Sequence, residues 1–299
     1  MDFYIVTPTY QSERFLAETI ESVLSQVGDF SLHYHIQDGG SSDSTVQIIS
    51  GYEKRIGAGE FSSRKRSLRF TWASGKDAGM YDAINRGFEK TSGEICAWIN
   101  SDDVYLPGAL ANMNSAFTRF PELDWIKGVT RYIDDRSEVL SEGECFFYDR
   151  RWIRRGIYGN EAYFIQQDSV FWRRTLWEHA GPIDPALKLA GDFAVWYKFA
   201  AITSLATLNV PVSAFRKVAG QLSQDIRRYR SEMATVSGGR KSYPLIRFFF
   251  RLALRDPTPI SQILFTVFFR KRAIFLKPMS DGSLAKKITY RFSRPARKA

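Results

Sequence analysis

Short apolar runs alternate with amphipathic stretches through the first half of the chain, and polar turns follow the apolar runs. Phe3–Thr7 (FYIVT) is a run suited to a buried parallel strand. Leu16, Ile20, Val23, Leu24 and Val27 then recur at helical spacing behind Ser12, a candidate N-cap. Leu32, Tyr34 and Ile36 alternate before the abrupt turn DGGSSDST (Asp38–Thr45), and Val46 and Ile49 begin a second helix. Leu68–Trp72 reads as a third strand and Ala83–Lys90 as a helix. Ile95–Ile99 is a fourth strand running into NSDD (Asn100–Asp103). Pro107 opens a helix through Phe117, and Trp125–Tyr132 is a further strand. This order predicts an α/β fold with a mostly parallel sheet flanked by helices. Ligands on such sheets bind beyond the carboxyl ends of the strands, where the polar motifs fall.

The chain has 299 residues, close to the upper limit for one hydrophobic core. Hydrophobic residues at 44% and charged residues at 25% exclude wholesale disorder. Two cysteines, Cys96 and Cys145, cannot make a disulfide framework, and three histidines leave no Cys/His metal spacing. The opening MDFYIVTPTY lacks the basic start and apolar stretch of a signal peptide, which points to the cytoplasm.

The net charge of +10 is unevenly spread. Residues 226–299 carry 18 Lys/Arg against 3 Asp/Glu, while the first 225 carry 24 basic and 29 acidic residues. A mildly acidic body therefore bears a basic tail, which should meet nucleic acid or an anionic membrane surface. The expected division is a body over 1–225, with halves 1–105 and 106–225, and a partly helical basic extension over 226–299. Arg227–Tyr243 is polar and could be a hinge. Pro244–Phe269 is rich in Phe and Leu, but Arg247, Arg251, Arg255, Asp256, Pro257 and Pro259 interrupt it. That excludes a spanning helix, which needs about 20 mostly apolar residues. Two shorter helices lying in the membrane interface fit better. Packing on the body, or a homo-oligomer contact, is the competing use of the same Phe residues.

Acidic groups close several strands: Asp38, Asp77 with Asp82 nearby, and the pair Asp102–Asp103. Any one of them is explained by the local preferences of turns. A set at successive carboxyl ends would converge on a single crevice. A carboxylate pair after a buried strand suits Mg²⁺ or Mn²⁺, which share oxygen ligands with substrate phosphates. No G-x-x-x-x-G-K-[ST] loop occurs and no G-x-G-x-x-G follows the first strand, which disfavours a P-loop NTPase and a dinucleotide dehydrogenase.

IVTPTYQSERFLAETIESVLSQ followed by HIQDGGSSDST resembles the opening of the family 2 inverting glycosyltransferases, which have a GT-A-type fold. ASGKDAGMYDAINRGFEKTSGEICAWINSDD is similar to the stretch leading to that family's D-x-D-type motif. QQDSVFWRR, GPID and LAGDFAVW resemble its acceptor side. The pieces run in order over roughly residues 3–200, and the wording DGGS and MYDAIN leans toward enzymes that build bacterial exopolysaccharides and O-antigens.

The resemblance implies a nucleotide-sugar donor, a saccharide or lipid-linked acceptor and a divalent metal. Pro8 and Tyr10 match the segment against the nucleotide base, and Asp38 and Asp77 match base-side positions. Asp102 falls on the ribose contact, Asp103 on the metal ligand and Asp192 on the catalytic base. A departing diphosphate needs its charge neutralised, and an acceptor hydroxyl needs a carboxylate to take its proton. The competing role for Asp192 is N-cap of the helix that follows. Gln11 stands where the family usually has Asn, Asp168 where Pro is common, and Lys198 replaces a frequent Arg. No histidine follows Asp192, so a C-terminal His ligand is absent from the metal shell.

Trp172, Trp177 and Trp196 read as packing residues before sugar platforms. A nucleic-acid-binding protein would use RFFFRLALR to stack bases, but the acidic body would repel a phosphate backbone. A scaffold without catalysis would have no use for Asp102, Asp103 and Asp192 together. The expectation is therefore an enzyme that moves sugar from a nucleotide, UDP-sugar first, beside the inner face of the membrane, with no nucleic-acid partner.

Overall fold

A computed structural model describes residues 1–61, 65–89, 93–160, 162–221, 224–239, 243–248 and 273–289. The N-terminal βα series is present as expected. It comprises β1 (Asp2–Thr9), α1 (Leu16–Leu24), β2 (Gly28–Asp38), α2 (Thr45–Gly57), β3 (Lys65–Ser74), α3 (Met80–Glu89) and β4 (Ile95–Trp98). Next come β5 (Val104–Tyr105), α4 (Ala109–Arg119), β6 (Trp125–Ile133), β7 (Val139–Ser141) and α5 (Arg150–Ile153). A 3-10 turn at Gln167–Ser169 leads into β8 (Val170–Arg173), α6 (Arg174–Ala180), α7 (Gly191–Ile202), β9 (Ala206–Arg216) and α8 (Ile226–Val236). The strands β10 (Ala273–Pro278) and β11 (Leu284–Thr289) close the described chain.

One sheet runs β11-β10-β9-β6-β8-β4-β1-β2-β3, with β5 on β9 and β7 on β6. Pairing is parallel from β3 through β2 and β1 to β4, and again from β6 through β9 to β10. β8 is inserted antiparallel between β4 and β6. Residues 3–9 of β1 are buried, as expected of a central parallel strand covered on both faces. The chain moves from β1 to β2 and β3 on one side, then returns to β4 on the other. That reversal opens a crevice at the carboxyl ends of β1 and β4, the place where open α/β sheets bind ligands.

The three tryptophans belong to the core. Trp98 and Trp196 stack at 5.7 Å, Trp172 meets both rings, and Trp177 packs on Phe88 at 4.6 Å. Ser12 does not cap α1 with its side chain. Its hydroxyl meets Ser101 Oγ at 2.8 Å, tying the loop after β1 to the loop after β4.

α8 packs on α7, and β10 pairs parallel with β9 through Ile274–Leu276. Phe275 packs edge-on against Phe147 at 5.1 Å. The two interfacial helices expected over 244–269 fall mostly outside the described residues. Among those described, no helix is long and apolar enough to cross a membrane.

Candidate active site

Four loops meet at the carboxyl ends of β1 to β4. The Gln11 side chain accepts the Ser42 and Asp43 N–H groups and donates to Ser42 Oγ at 3.0 Å. It does so from a left-handed backbone, φ 50°, which Asn adopts more readily than Gln. Asp38 is fully buried and its carboxylate is spent within this knot. It accepts the Gly40 and Ser41 N–H groups and the hydroxyls of Ser41 and Ser74. Gly40 needs its glycine, because φ is +84° and a Cβ would press on the backbone of Lys76. Asp38 therefore shapes the turn from beneath.

Asp77 faces the same crevice from the loop after β3. It is half-buried, accepts the Gly79 N–H at 2.9 Å, and its Oδ2 would lie 2.9 Å from a Cβ on Gly39. Pro8 is buried in β1, whereas the Tyr10 ring is 64% exposed at the mouth of the crevice.

The acidic pair splits into one outward and one inward carboxylate. Asp102 is half-buried and its Oδ2 accepts the Gln221 side-chain N–H at 2.9 Å. Burial raises its pKa, and the Gln221 contact opposes that rise. Asp103 is 1% exposed. Its Oδ1 accepts the Arg216 backbone N–H at 2.9 Å, and its Oδ2 is buried without a hydrogen-bond partner. Burial first, then the charges of Asp102 and Asp168, drive its pKa well up. Asp168 is buried too, holds Ser213 Oγ at 2.5 Å, and is likewise raised by burial. Asp103, expected at the metal, is thus sealed into the sheet. Asn100, two residues before Asp102, also has a side-chain oxygen without a protein partner.

Arg216 locks this arrangement. Its side chain is wholly buried, with Nε 2.8 Å from the Asp102 carbonyl and Nη1 3.0 Å from the Asp134 carbonyl. Nη2 donates to Glu18 Oε2 at 2.5 Å, and the guanidinium lies over the Phe15 ring.

Asp192 lies in the first turn of α7, two residues after the N-cap Ala190. It is therefore not the cap. Its Oδ1 accepts the Phe193 N–H within the first turn at 2.7 Å, while Glu232 of α8 ties down the segment that leads into the helix, accepting the Lys188, Leu189 and Ala190 N–H groups. Burial opposes the charge of Glu232, but these three bonds outweigh it and hold its pKa down. Asp192 accepts the Tyr229 hydroxyl on both oxygens, at 3.0 and 3.2 Å. Burial pushes its carboxyl up to about 7, against the lowering effect of the Phe193 N–H and the Tyr229 hydroxyl. Such a group is poised to accept a proton near neutrality.

The start of α7 is tied back to the crevice. Tyr81 of α3 donates to the Leu189 carbonyl at 2.6 Å, and a Cβ on Gly191 would strike its ring at 2.5 Å. The exposed Lys188 ammonium donates to the Ala78 carbonyl in the Asp77 loop. Tyr81, Lys188, Arg216, Gln221, Tyr229 and Glu232 were not singled out in the sequence. All six are polar side chains whose role rests on a partner far along the chain.

Residues 4–178 match the model of glycosyl transferase family 2. A PGL/p-HBAD biosynthesis glycosyltransferase of Mycobacterium bovis is 25% identical over 222 residues, 73% of this chain and 78% of that protein. An uncharacterised glycosyltransferase of Rickettsia prowazekii is 22% identical over 206 residues, covering 67% of this chain. The match spans 59% of that relative's length. The crystal structure of S. aureus TarS 1–349 in complex with UDP-GlcNAc is similar at a TM-score of 0.58 and 16% identity, over 84% of this chain and 70% of that one. A mannosyltransferase from Pyrobaculum calidifontis in complex with GDP-Man and Mn²⁺ gives 0.52 and 15%, over 89% and 70%. The fold is of the GT-A type, and with the family model matched over more than half its length the chain belongs to glycosyl transferase family 2.

Proposed function

We propose that this glycosyltransferase moves a sugar from a nucleotide diphosphate sugar, UDP-sugar first, to a hydroxyl of a saccharide or lipid-linked acceptor with inversion. Asp192 carries the reading. Its carboxyl titrates at about 7, is held by Tyr229, and stands on the element tied to the Asp77 loop. As general base it takes the acceptor proton while the acceptor oxygen attacks the anomeric carbon opposite the leaving diphosphate. Tyr10, Pro8 and Asp77 line the base side, and Asp38 acts by fixing the turn beside them.

A divalent cation, Mg²⁺ or Mn²⁺, fits the donor set if Asp102 holds it. Asp102 has the half-buried carboxylate of the pair, whereas Asp103 is sealed and bound to the Arg216 backbone. No group of three or more His, Cys, Asp or Glu able to hold a metal occurs among the described residues. Diphosphate oxygens and water would complete the shell, as these cations allow. When bound, the cation neutralises charge on the departing diphosphate. Lys188, exposed and donating to the Ala78 carbonyl, adds a positive charge at the Asp77 loop.

A lipid-linked acceptor would bring the chain to an anionic membrane surface through residues 244–299. Leu245 and Phe248, 67% and 61% exposed, support that part of the reading. The test of the whole is to incubate the full chain with a panel of nucleotide sugars and Mn²⁺ or Mg²⁺, then follow nucleotide release and product anomer by NMR. No release from any donor sinks the donor site, and a retained anomeric configuration sinks Asp192 as base.

A further inference from the structure

A second concavity lies beside α8, between β6 and the segments 144–148 and 163–166, and encloses about 170 Å³. Its walls are aromatic. Phe146 and Tyr163 stack at 3.9 Å, and Phe164 packs edge-on against Tyr229 at 5.4 Å. The Tyr163 hydroxyl donates to the Phe147 carbonyl at 2.6 Å, so its phenol tip is spent and the ring is held as a wall. Tyr229 is the residue that holds Asp192, so the wall residue Phe164 is linked through Tyr229 to the proposed base. Gln166 lines it as well, and the next residue, Gln167, donates to the Trp98 carbonyl at the end of β4. The pocket therefore adjoins both the Asp192 side and the strand that leads to Asp102.

Its polar groups are few and of both signs. Lys127 is 4% exposed, and one of its three ammonium protons is accounted for by the Gly128 carbonyl at 2.8 Å. Burial lowers its pKa to about 8, against the raising effect of Asp168 and Cys145. Glu144 sits half-buried at the rim, and Gln166 donates to the Tyr132 hydroxyl at 3.0 Å. With Asp168 near Lys127 and Glu144 on the rim, a phosphate or carboxylate would meet as much repulsion as attraction. A neutral ring with one apolar face and several hydroxyls meets none. Apolar walls with a few placed polar groups are the usual make-up of a small-molecule site.

We propose that this pocket binds a neutral pyranose ring of the acceptor, its C–H face on the aromatic wall and its hydroxyls on Lys127, Glu144 and Gln166. The assignment rests on the reading of Asp192 as base, since it makes the pocket the place from which the acceptor hydroxyl reaches that carboxylate. Selection of the acceptor then lies in residues 127–166, apart from the donor loops.

The test uses the full chain with methyl pyranosides as probes, read by saturation-transfer NMR, and UDP affinity by calorimetry. Wild type should bind at least one methyl pyranoside. Phe146→Ala and Glu144→Gln should each weaken that binding by about tenfold, with UDP affinity unchanged. Glu144→Gln keeps size and shape, so the test survives if Phe146→Ala fails to fold. Unchanged glycoside binding in both variants overturns the proposal. So does a wild type that binds UDP but no glycoside, or one in which only the aromatic ring of a 4-nitrophenyl glycoside receives saturation. Glycoside binding that responds to the variants in a chain that releases no nucleotide would uphold the pocket and remove the donor reading instead.

Discussion

Tyr229 of α8 donates its hydroxyl to both carboxylate oxygens of Asp192, at 3.0 and 3.2 Å, across 37 residues of sequence. This contact stabilises the charged form of a carboxyl that burial pushes up to about 7. Removing it in Tyr229→Phe should raise the pKa further, and the acid limb of the pH–rate profile should move to higher pH. Activity at pH 9 should be nearly retained, because Asp192 is ionised there in both proteins. A profile that drops uniformly at all pH values would assign Tyr229 a packing role only.

Asp192→Asn keeps the side chain's size and loses its proton-accepting power. Turnover should fall by about a hundredfold or more, with donor affinity nearly unchanged. Stability should move the other way. Between its ordinary value of 3.8 and about 7 the folded chain holds a proton that the unfolded chain has released. Wild-type stability therefore declines as pH rises through that window. The Asn variant should melt at a higher temperature than wild type at pH 8, and the gain should vanish near pH 4. Equal melting temperatures at pH 8 would argue against a carboxyl whose pKa the fold raises.

Asp102 and Asp103 should separate by readout. Asp102→Ala should keep the melting temperature and lose the part of UDP affinity that depends on Mn²⁺. Asp103→Ala should cost about 1–3 kcal/mol in urea unfolding, since the buried Arg216 N–H loses its acceptor. Asp103→Asn offers an amide oxygen to that N–H and should recover most of the loss. The reverse pattern, with metal dependence lost at Asp103 alone, would return the metal to the inner carboxylate.

The βα half was legible because its strands are continuous apolar runs and its turns are polar. β1 is buried along residues 3–9 and leaves no alternation to misread. The C-terminal half was less legible. α7 is buried nearly all round, on Phe193, Ala194, Val195, Trp196, Phe199 and Ala200, so no helical period marks it. Tyr229 and Glu232 fell in a basic stretch that reads as a hinge, and only the fold brings them to α7. Adjacent carboxylates are equal on paper; the backbone decides that Asp103 points inward and Asp102 toward solvent. Asp38 shows the same limit, since a turn-forming Asp and a ligand-binding Asp have the same letter.

Arg216 fixes the carbonyl of Asp102, the loop at Asp134 and Ser137, and the Glu18 carboxylate of α1. Arg216→Met should cost about 3 kcal/mol, mostly from orphaned partners, with Glu18 free to take water because it is half-exposed. At temperatures where the variant is folded, its loss of UDP affinity relative to wild type should be larger in Mn²⁺ than in chelator-treated buffer, since the Asp102 loop is no longer held. An equal loss in both buffers would confine Arg216 to stability.

Membrane attachment needs a test that leaves the sheet intact. Deleting residues 244–299 would remove β10 and β11, and with them Phe275 from its contact with Phe147. Loss of binding in such a truncation would report unfolding as readily as a lost surface. Leu245→Ser with Phe248→Ser changes two exposed apolar side chains three residues apart and leaves the strands alone. On anionic vesicles each nearby Lys or Arg contributes about 1 kcal/mol, and the apolar side chains add burial in the acyl boundary. Wild type should therefore sediment with phosphatidylglycerol-containing vesicles, less so as salt rises, and hardly at all with neutral phosphatidylcholine. The double variant should bind about tenfold more weakly at low salt and keep its melting temperature. Equal sedimentation of both proteins, or binding indifferent to lipid charge, would leave the basic extension as a part of the sheet and remove the membrane from the proposed function.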